Sequence, residues 1–142
     1  MNLRNNRYNS FRIHIAAINL LDTFYKCKGL KSESRSLLMK IMTETGTGMN
    51  RLKGLLPKNA AVALKTGSSR TINGKTAAAN DIGINSLPDG NHLLAAVFVA
   101  DSHADDWVRE RVIAQIGRPG WDKLNENQIS YTLTTFFLRQ NI

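Results

Sequence analysis

Apolar residues recur along the first third of the chain with the period of a helix. Ile13, Ala16, Ala17, Leu20, Leu21 and Phe24 are spaced i, i+3, i+4, i+7, i+8 and i+11, the stripe of an amphipathic helix with one face to bury. Gly29 is placed to close it. A second helix is expected to be capped by Ser32, with Glu33 in its first turn and Leu37, Leu38, Ile41 and Met42 along one face. It should end near Gly46 and Gly48. The stretch Asn50 to Pro57 then reads as a short helical turn or an irregular connection, terminated by proline.

After Pro57 the pattern changes to strands. Ala60 to Thr66, Thr76 to Ile84 and His92 to Ala100 are the candidates, and the last two are separated by Leu87-Pro88-Asp89-Gly90-Asn91. Pro-Asp-Gly is hairpin-turn chemistry, so these strands should pair antiparallel. Asn73-Gly74 implies a similar, looser turn before the second strand. Ser102 to Asp105 has the pattern of a capping box, and Trp107, Val108, Val112, Ile113 and Ile116 supply a buried face for a third helix. Pro119-Gly120 should stop that helix. The tail from Ile129 to Leu138 has strand propensity. Helix, helix, three-stranded meander, helix describes an α+β layer with helices on one face of an antiparallel sheet.

Composition narrows the class without changing this order. A length of 142 residues with 42% hydrophobic content suits one globular unit. No apolar run approaches the roughly 20 residues a membrane span requires. The net charge of +8 is unevenly placed, with an excess of basic residues up to Lys75 and of acidic residues after it. Most of the basic residues are single and interleaved with apolar and polar neighbours, as on solvated helix faces. No zinc-finger or RNA-binding motif accompanies them, so nucleic acid is not expected as a partner. Cys27 stands alone, which rules out an internal disulfide and reads as a small side chain on a helix surface. His14, His92 and His103 read as surface or strand-end residues.

The chemistry concentrates in Leu64-Lys65-Thr66-Gly67-Ser68-Ser69. A strand ending in a cation, hydroxyls and a glycine can hold a small anion. Apart from their neighbours, these residues are equally a solvated strand-end cation and a β-former, and Arg51 a surface charge beside a turn.

The neighbours carry a resemblance. Met42 to Pro57, with Thr43-Glu44-Thr45-Gly46-Thr47-Gly48 and Asn50-Arg51-Leu52-Lys53-Gly54-Leu55-Leu56, followed by Lys65-Thr66-Gly67-Ser68 and Ala79-Asn80-Asp81-Ile82-Gly83-Ile84, resembles the C-terminal part of class A serine β-lactamases, in their extended-spectrum, Bacteroidetes-type branch. The likeness runs roughly from Ala16 to Arg118. It implies a partial β-lactamase/transpeptidase-like fold with segments 1–15 and 119–142 outside the family pattern, and a β-lactam as ligand, with no metal and no other cofactor. Lys65, Thr66 and Gly67 match the family's Lys-Thr-Gly motif, where the ammonium and the hydroxyl hold the substrate carboxylate and the glycine admits close approach. Ser68 matches a position whose backbone N–H is an oxyanion donor and whose hydroxyl adds a carboxylate contact. Arg51 matches a position where some members carry an arginine reaching the same carboxylate.

Other parts of that chemistry are missing from the sequence. The family's nucleophile lies in Ser-x-x-Lys, its proton shuttle in Ser-Asp-Asn and its deacylation base in Glu-x-x-x-Asn, and none of these occurs in the 142 residues. The resemblance therefore implies a fragment with the anion grip and half an oxyanion hole, inactive by itself, with an N-terminal half as its missing partner. The alternative is a non-catalytic penicillin-recognising module that binds β-lactam or cell-wall peptide carboxylates. The family is periplasmic or secreted, whereas Met1 to Ile15 makes a poor secretory signal, so the location expected for the chain as it stands is cytoplasmic or unknown. Leu64 and Asn85 depart from the family pattern. An open sheet edge and an uncovered apolar face are expected, with poor solubility as the result.

Overall fold

The computed structural model describes residues 3–126 and 134–139. In chain order these form α1 (Leu3–Tyr25), α2 (Ser32–Glu44), β1 (Val62–Ser68), β2 (Thr71–Ile72), β3 (Lys75–Ser86), β4 (His92–Ser102), α3 (Asp106–Glu126) and β5 (Thr134–Arg139). The sheet runs β1-β3-β4-β5, with β2 paired on β3. The α+β class and the three-strand antiparallel meander are as the sequence implies. The tail contributes the 134–139 part of its expected strand, paired parallel to β4, while 129–133 fall outside the described residues. One side of β4 is thus covered, and β1 is left as an edge strand.

Strand alternation separates the side chains onto two faces. On one, Ala63, Ile84, Leu94 and Ala96 pack against Ile18, Leu21 and Phe24 of α1 and Met42 of α2. On the other, Ala79, Ala95, Val97 and Val99 pack against Leu52 and against Ile113 of α3. Helices therefore lie on both faces, not on one, because α3 returns across the sheet after β4.

Both N-terminal helices are rotated from the expected stripe. Ile13 and Leu20 are exposed, whereas His14, Ile18, Leu21 and Phe24 are buried. His14 is not at the surface: its ring meets Phe98 edge to face at 4.6 Å, a contact that turns this side of α1 to the sheet. His92 does open a strand, stacked 3.6 Å from Tyr25, and burial holds its pKa below the usual histidine value. In α2, only Met42 is buried and Leu37, Leu38 and Ile41 remain exposed. Ser32 is the first helical residue, and Lys31 holds the cap position without a side-chain bond. Cys27 is exposed in the turn after α1, with φ 57°.

The turns follow their chemistry closely. The β3–β4 hairpin closes with Ser86 opposite His92, and Asp89 accepts bonds from the Asn91 backbone and side-chain nitrogens. Asn73 and Gly74, at φ 51° and 73°, join β2 directly to β3. This is a tight two-residue turn, not a looser one, because both positions accept the left-handed conformation. At the start of α3 the cap is Asp105, whose Oδ1 accepts the Val108 N–H at 2.8 Å. Ser102 instead bonds Ala104.

The helix does not stop at Pro119. It continues to Glu126 with the proline inside, and Trp121 is buried with Val62, Leu64, Leu87 and Leu93. Burying an indole outweighs the backbone bond that the proline removes. The same cluster accounts for Leu64, a departure from the family pattern that is buried here. Asn85, the other departure, is fully buried, and its amide has no hydrogen-bond partner among the described residues.

Candidate functional site

β1 is an edge strand, so its last residues have an open side. Lys65 pairs with Ile82, Thr66 with Asp81, Gly67 with Asn80 and Ser68 with Ala79. Pairing with β3 fixes the backbone of this end, while Lys65, Gly67 and Ser68 stay exposed and Thr66 half-buried. A Cβ added at Gly67 would meet nothing within 4 Å, so the position borders open space that a side chain would occupy. Alternation sends Lys65 and Gly67 to the α1/α2 face, and Thr66 and Ser68 to the α3 face.

The segment between α2 and β1 folds back onto this strand end. Its backbone makes successive tight turns, with Arg51 N–H donating to Gly48 O at 2.9 Å and Gly54 N–H to Arg51 O at 2.8 Å. Gly48 holds φ 68° where the chain passes Thr66, and a Cβ there would lie 2.3 Å from the Thr66 methyl. Thr66 Oγ1 donates to Thr47 Oγ1 at 3.3 Å, and Thr47 in turn bonds Thr45 at 3.0 Å.

Arg51 is brought from the turn to the strand end. One terminal nitrogen donates to Ser68 Oγ at 2.7 Å, and the other donates to Asn80 O at 2.9 Å and Gly67 O at 3.4 Å. Its Nε donates to Glu110 Oε1 at 3.2 Å. Only 9% of Arg51 is exposed, so it is no loose surface charge: α3, β3 and β1 all accept hydrogen bonds from it. Lys65 stands apart from this cluster, its ammonium bonded to the Thr66 carbonyl oxygen. Ser69, although adjacent and exposed, is engaged with the backbone, accepting the Ala78 N–H and donating to the Arg70 carbonyl.

Two acidic residues of this arrangement went unsuspected in the sequence. Glu110 binds Arg51 through one oxygen and the Asn50 amide through the other, at 3.2 Å. It comes from α3, so no local spacing could reveal it. Asp81 lies opposite Thr66 on β3, fully buried, and accepts the Leu52 N–H at 3.1 Å. Burial pushes its carboxyl up to about 7, against the pull of that N–H, of the Arg51 charge, of the Ile82 N–H and of the Lys65 charge. Asp81 was visible within Asn80-Asp81-Ile82, but an acid in a strand gives no sign of its depth.

The strand end therefore presents the Thr66 and Ser68 hydroxyls on one face, with the buried Arg51 guanidinium behind Ser68, and the Lys65 ammonium on the other, groups of the kind that bind a carboxylate. Among the described residues no group of His, Cys, Asp or Glu is arranged to hold a metal ion, and no helix is long and apolar enough to cross a membrane. A separate cleft lies between the Arg51 turn and α3, lined by Asn50, Gly54, Leu55, Trp107, Arg111 and Ala114. None of these residues belongs to β1.

The sequence model of the beta-lactamase enzyme family matches residues 13–124. The chain belongs to the beta-lactamase enzyme family. Its likeness is to class A members. Extended-spectrum beta-lactamase PER-1 of Pseudomonas aeruginosa is 45% identical over 115 residues, covering 81% of this chain and 37% of PER-1. The crystal structure of a beta-lactamase from Chitinophaga pinensis superposes with a TM-score of 0.76 at 50% identity, covering 78% of this chain and 41% of that one. A class A beta-lactamase from Bacteroides cellulosilyticus gives a TM-score of 0.74 at 39% identity, over 78% of this chain and 40% of its own. The chain thus spans less than half the length of these beta-lactamases.

Proposed function

We propose that this chain carries the carboxylate-binding side of a class A serine β-lactamase and that it contributes to β-lactam hydrolysis only in combination with the rest of such an enzyme. The observation that carries this reading is the convergence of Arg51 and Ser68, 2.7 Å apart, at the open end of the strand that bears Lys65, Thr66 and Gly67. In the reading, Lys65 supplies the positive field, and the Thr66 and Ser68 hydroxyls hold the carboxylate of the lactam. The Ser68 backbone N–H is one oxyanion donor. Arg51 acts through Ser68, orienting its hydroxyl and adding charge behind it.

Nucleophile, shuttle and base are absent from the sequence in any of the three motif forms. Groups that act as a unit lose their effect together, so an anion grip alone gives no proportional share of the rate. The purified chain is expected to leave nitrocefin intact at the level of a heat-treated control. Co-expression with the N-terminal half of a related enzyme is expected to restore hydrolysis. Turnover by the chain alone overturns the reading. Persistent inactivity on co-expression, with saturable benzylpenicillin binding, favours the second one, a non-catalytic penicillin-recognising module. That alternative rests on the grip being held within this chain while the reacting groups are not.

A further inference from the structure

The Arg51 turn is joined to β3 at two consecutive residues. Arg51 donates to Asn80 O at 2.9 Å, and the Leu52 N–H donates to Asp81 Oδ2 at 3.1 Å. Leu52 itself is fully buried between Ala79, Val97 and Ile113, so its N–H has no access to water as a substitute acceptor. We propose that Asp81 is the positioning residue of the grip: its buried carboxyl holds the 51–52 peptide against β3 and so sets where the Arg51 guanidinium meets Ser68.

The charges around Asp81 are consistent with this role. The Arg51 guanidinium and the Lys65 ammonium both favour its ionised form, from the turn and from β1. Glu110, from α3, neutralises Arg51 on its other side at 3.2 Å. The second Asp81 oxygen, Oδ1, is buried with no hydrogen-bond partner among the described residues. Burial therefore opposes ionisation, and the Leu52 and Ile82 N–H groups offset it only in part. When Asp81 takes a proton, the Leu52 bond loses its charge assistance and Arg51 loses an attraction, and the turn loosens from the strand. This inference rests on the reading of the β1 end as a carboxylate grip, and its test is independent of that reading.

The test is a pH titration of the isotope-labelled full chain by NMR, between about pH 5 and 9, chosen to bracket a strongly raised carboxyl. The Leu52 amide and the Arg51 Nε–H should shift together with one inflection near pH 7. In Asp81→Asn, which keeps an acceptor for Leu52, both should lose that inflection while the remote Gly90 amide behaves as in the parent. Should Asp81→Asn fail to fold, Arg51→Gln serves instead, moving the Leu52 inflection up by about one unit as a nearby cation is removed. An inflection that persists in Asp81→Asn, that stays in place in Arg51→Gln, or that Leu52 shows without Arg51 overturns the proposal. Benzylpenicillin added to the same samples tests the grip separately: unchanged Lys65 to Ser68 amides sink the grip and leave the titration result standing.

Discussion

Gly48 is the residue that lets the Arg51 turn approach β1. Its φ of 68° and the 2.3 Å that would separate an added Cβ from the Thr66 methyl leave no room for a side chain. Gly48→Ala should therefore destabilise the chain by about 2 to 4 kcal/mol, from left-handed strain plus overpacking. A urea midpoint equal to the parent's would show that the turn does not press on Thr66. The glycine was visible in the sequence as a helix stop, but its contact with Thr66 joins residues that only the fold brings together. Arg51 shows the same limit. Its residue type was legible as a cation beside a turn, whereas its burial depends on acceptors from three different elements.

Elements form where the local pattern and the tertiary surface agree, and α3 shows which prevails when they differ. Pro119-Gly120 is a stop signal on local grounds, yet the helix runs on to Glu126 and buries Trp121 to 5% exposure. Trp121→Ala should cost about 3 to 5 kcal/mol of stability, as for other buried aromatics, in urea or thermal unfolding. A loss near zero would mean that the helix ends at Pro119 and leaves the indole in solvent. The hairpins needed no such arbitration. Pro88-Asp89-Gly90 and Asn73-Gly74 close the strands where their sequences require, because a turn's backbone angles are satisfied by the residues within it. The stripe of α1 was harder to place, since apolar residues occur on more than one side. The sheet takes the side bearing His14, Ile18 and Leu21, and leaves Ile13 and Leu20 exposed.

For the molecule as a whole, Leu20 on α1 and Leu37 and Ile41 on α2 are large apolar side chains left exposed, the basis for expecting low solubility. Its stability should also carry the signature of a buried acid. Asp81 is ordinary when unfolded and raised to about 7 when folded, so the folded chain binds the extra proton between these values. Stability from this group is therefore lost as pH rises from about 4 to 7 and is level above, by an amount on the order of 4 kcal/mol. His92, held below its usual value by burial, works the other way just under its unfolded pKa, so the comparison must be made against Asp81→Asn. Denaturant melts across that range should show the substitution becoming steadily more favourable as pH rises. A constant difference would mean that Asp81 ionises as it does in the unfolded chain. By itself, the sequence determined the α+β class, the meander and its turns, the family, and the Lys65-Thr66-Gly67-Ser68 strand end, because each is written in local spacing or in a contiguous motif. Only the tertiary structure decided that helices cover both faces of the sheet, that α3 passes through Pro119, and that Arg51 is held by Glu110 beside a turn fastened to Asp81. Those features depend on contacts between residues far apart in the chain, where burial and shared hydrogen bonds outweigh what each segment prefers alone.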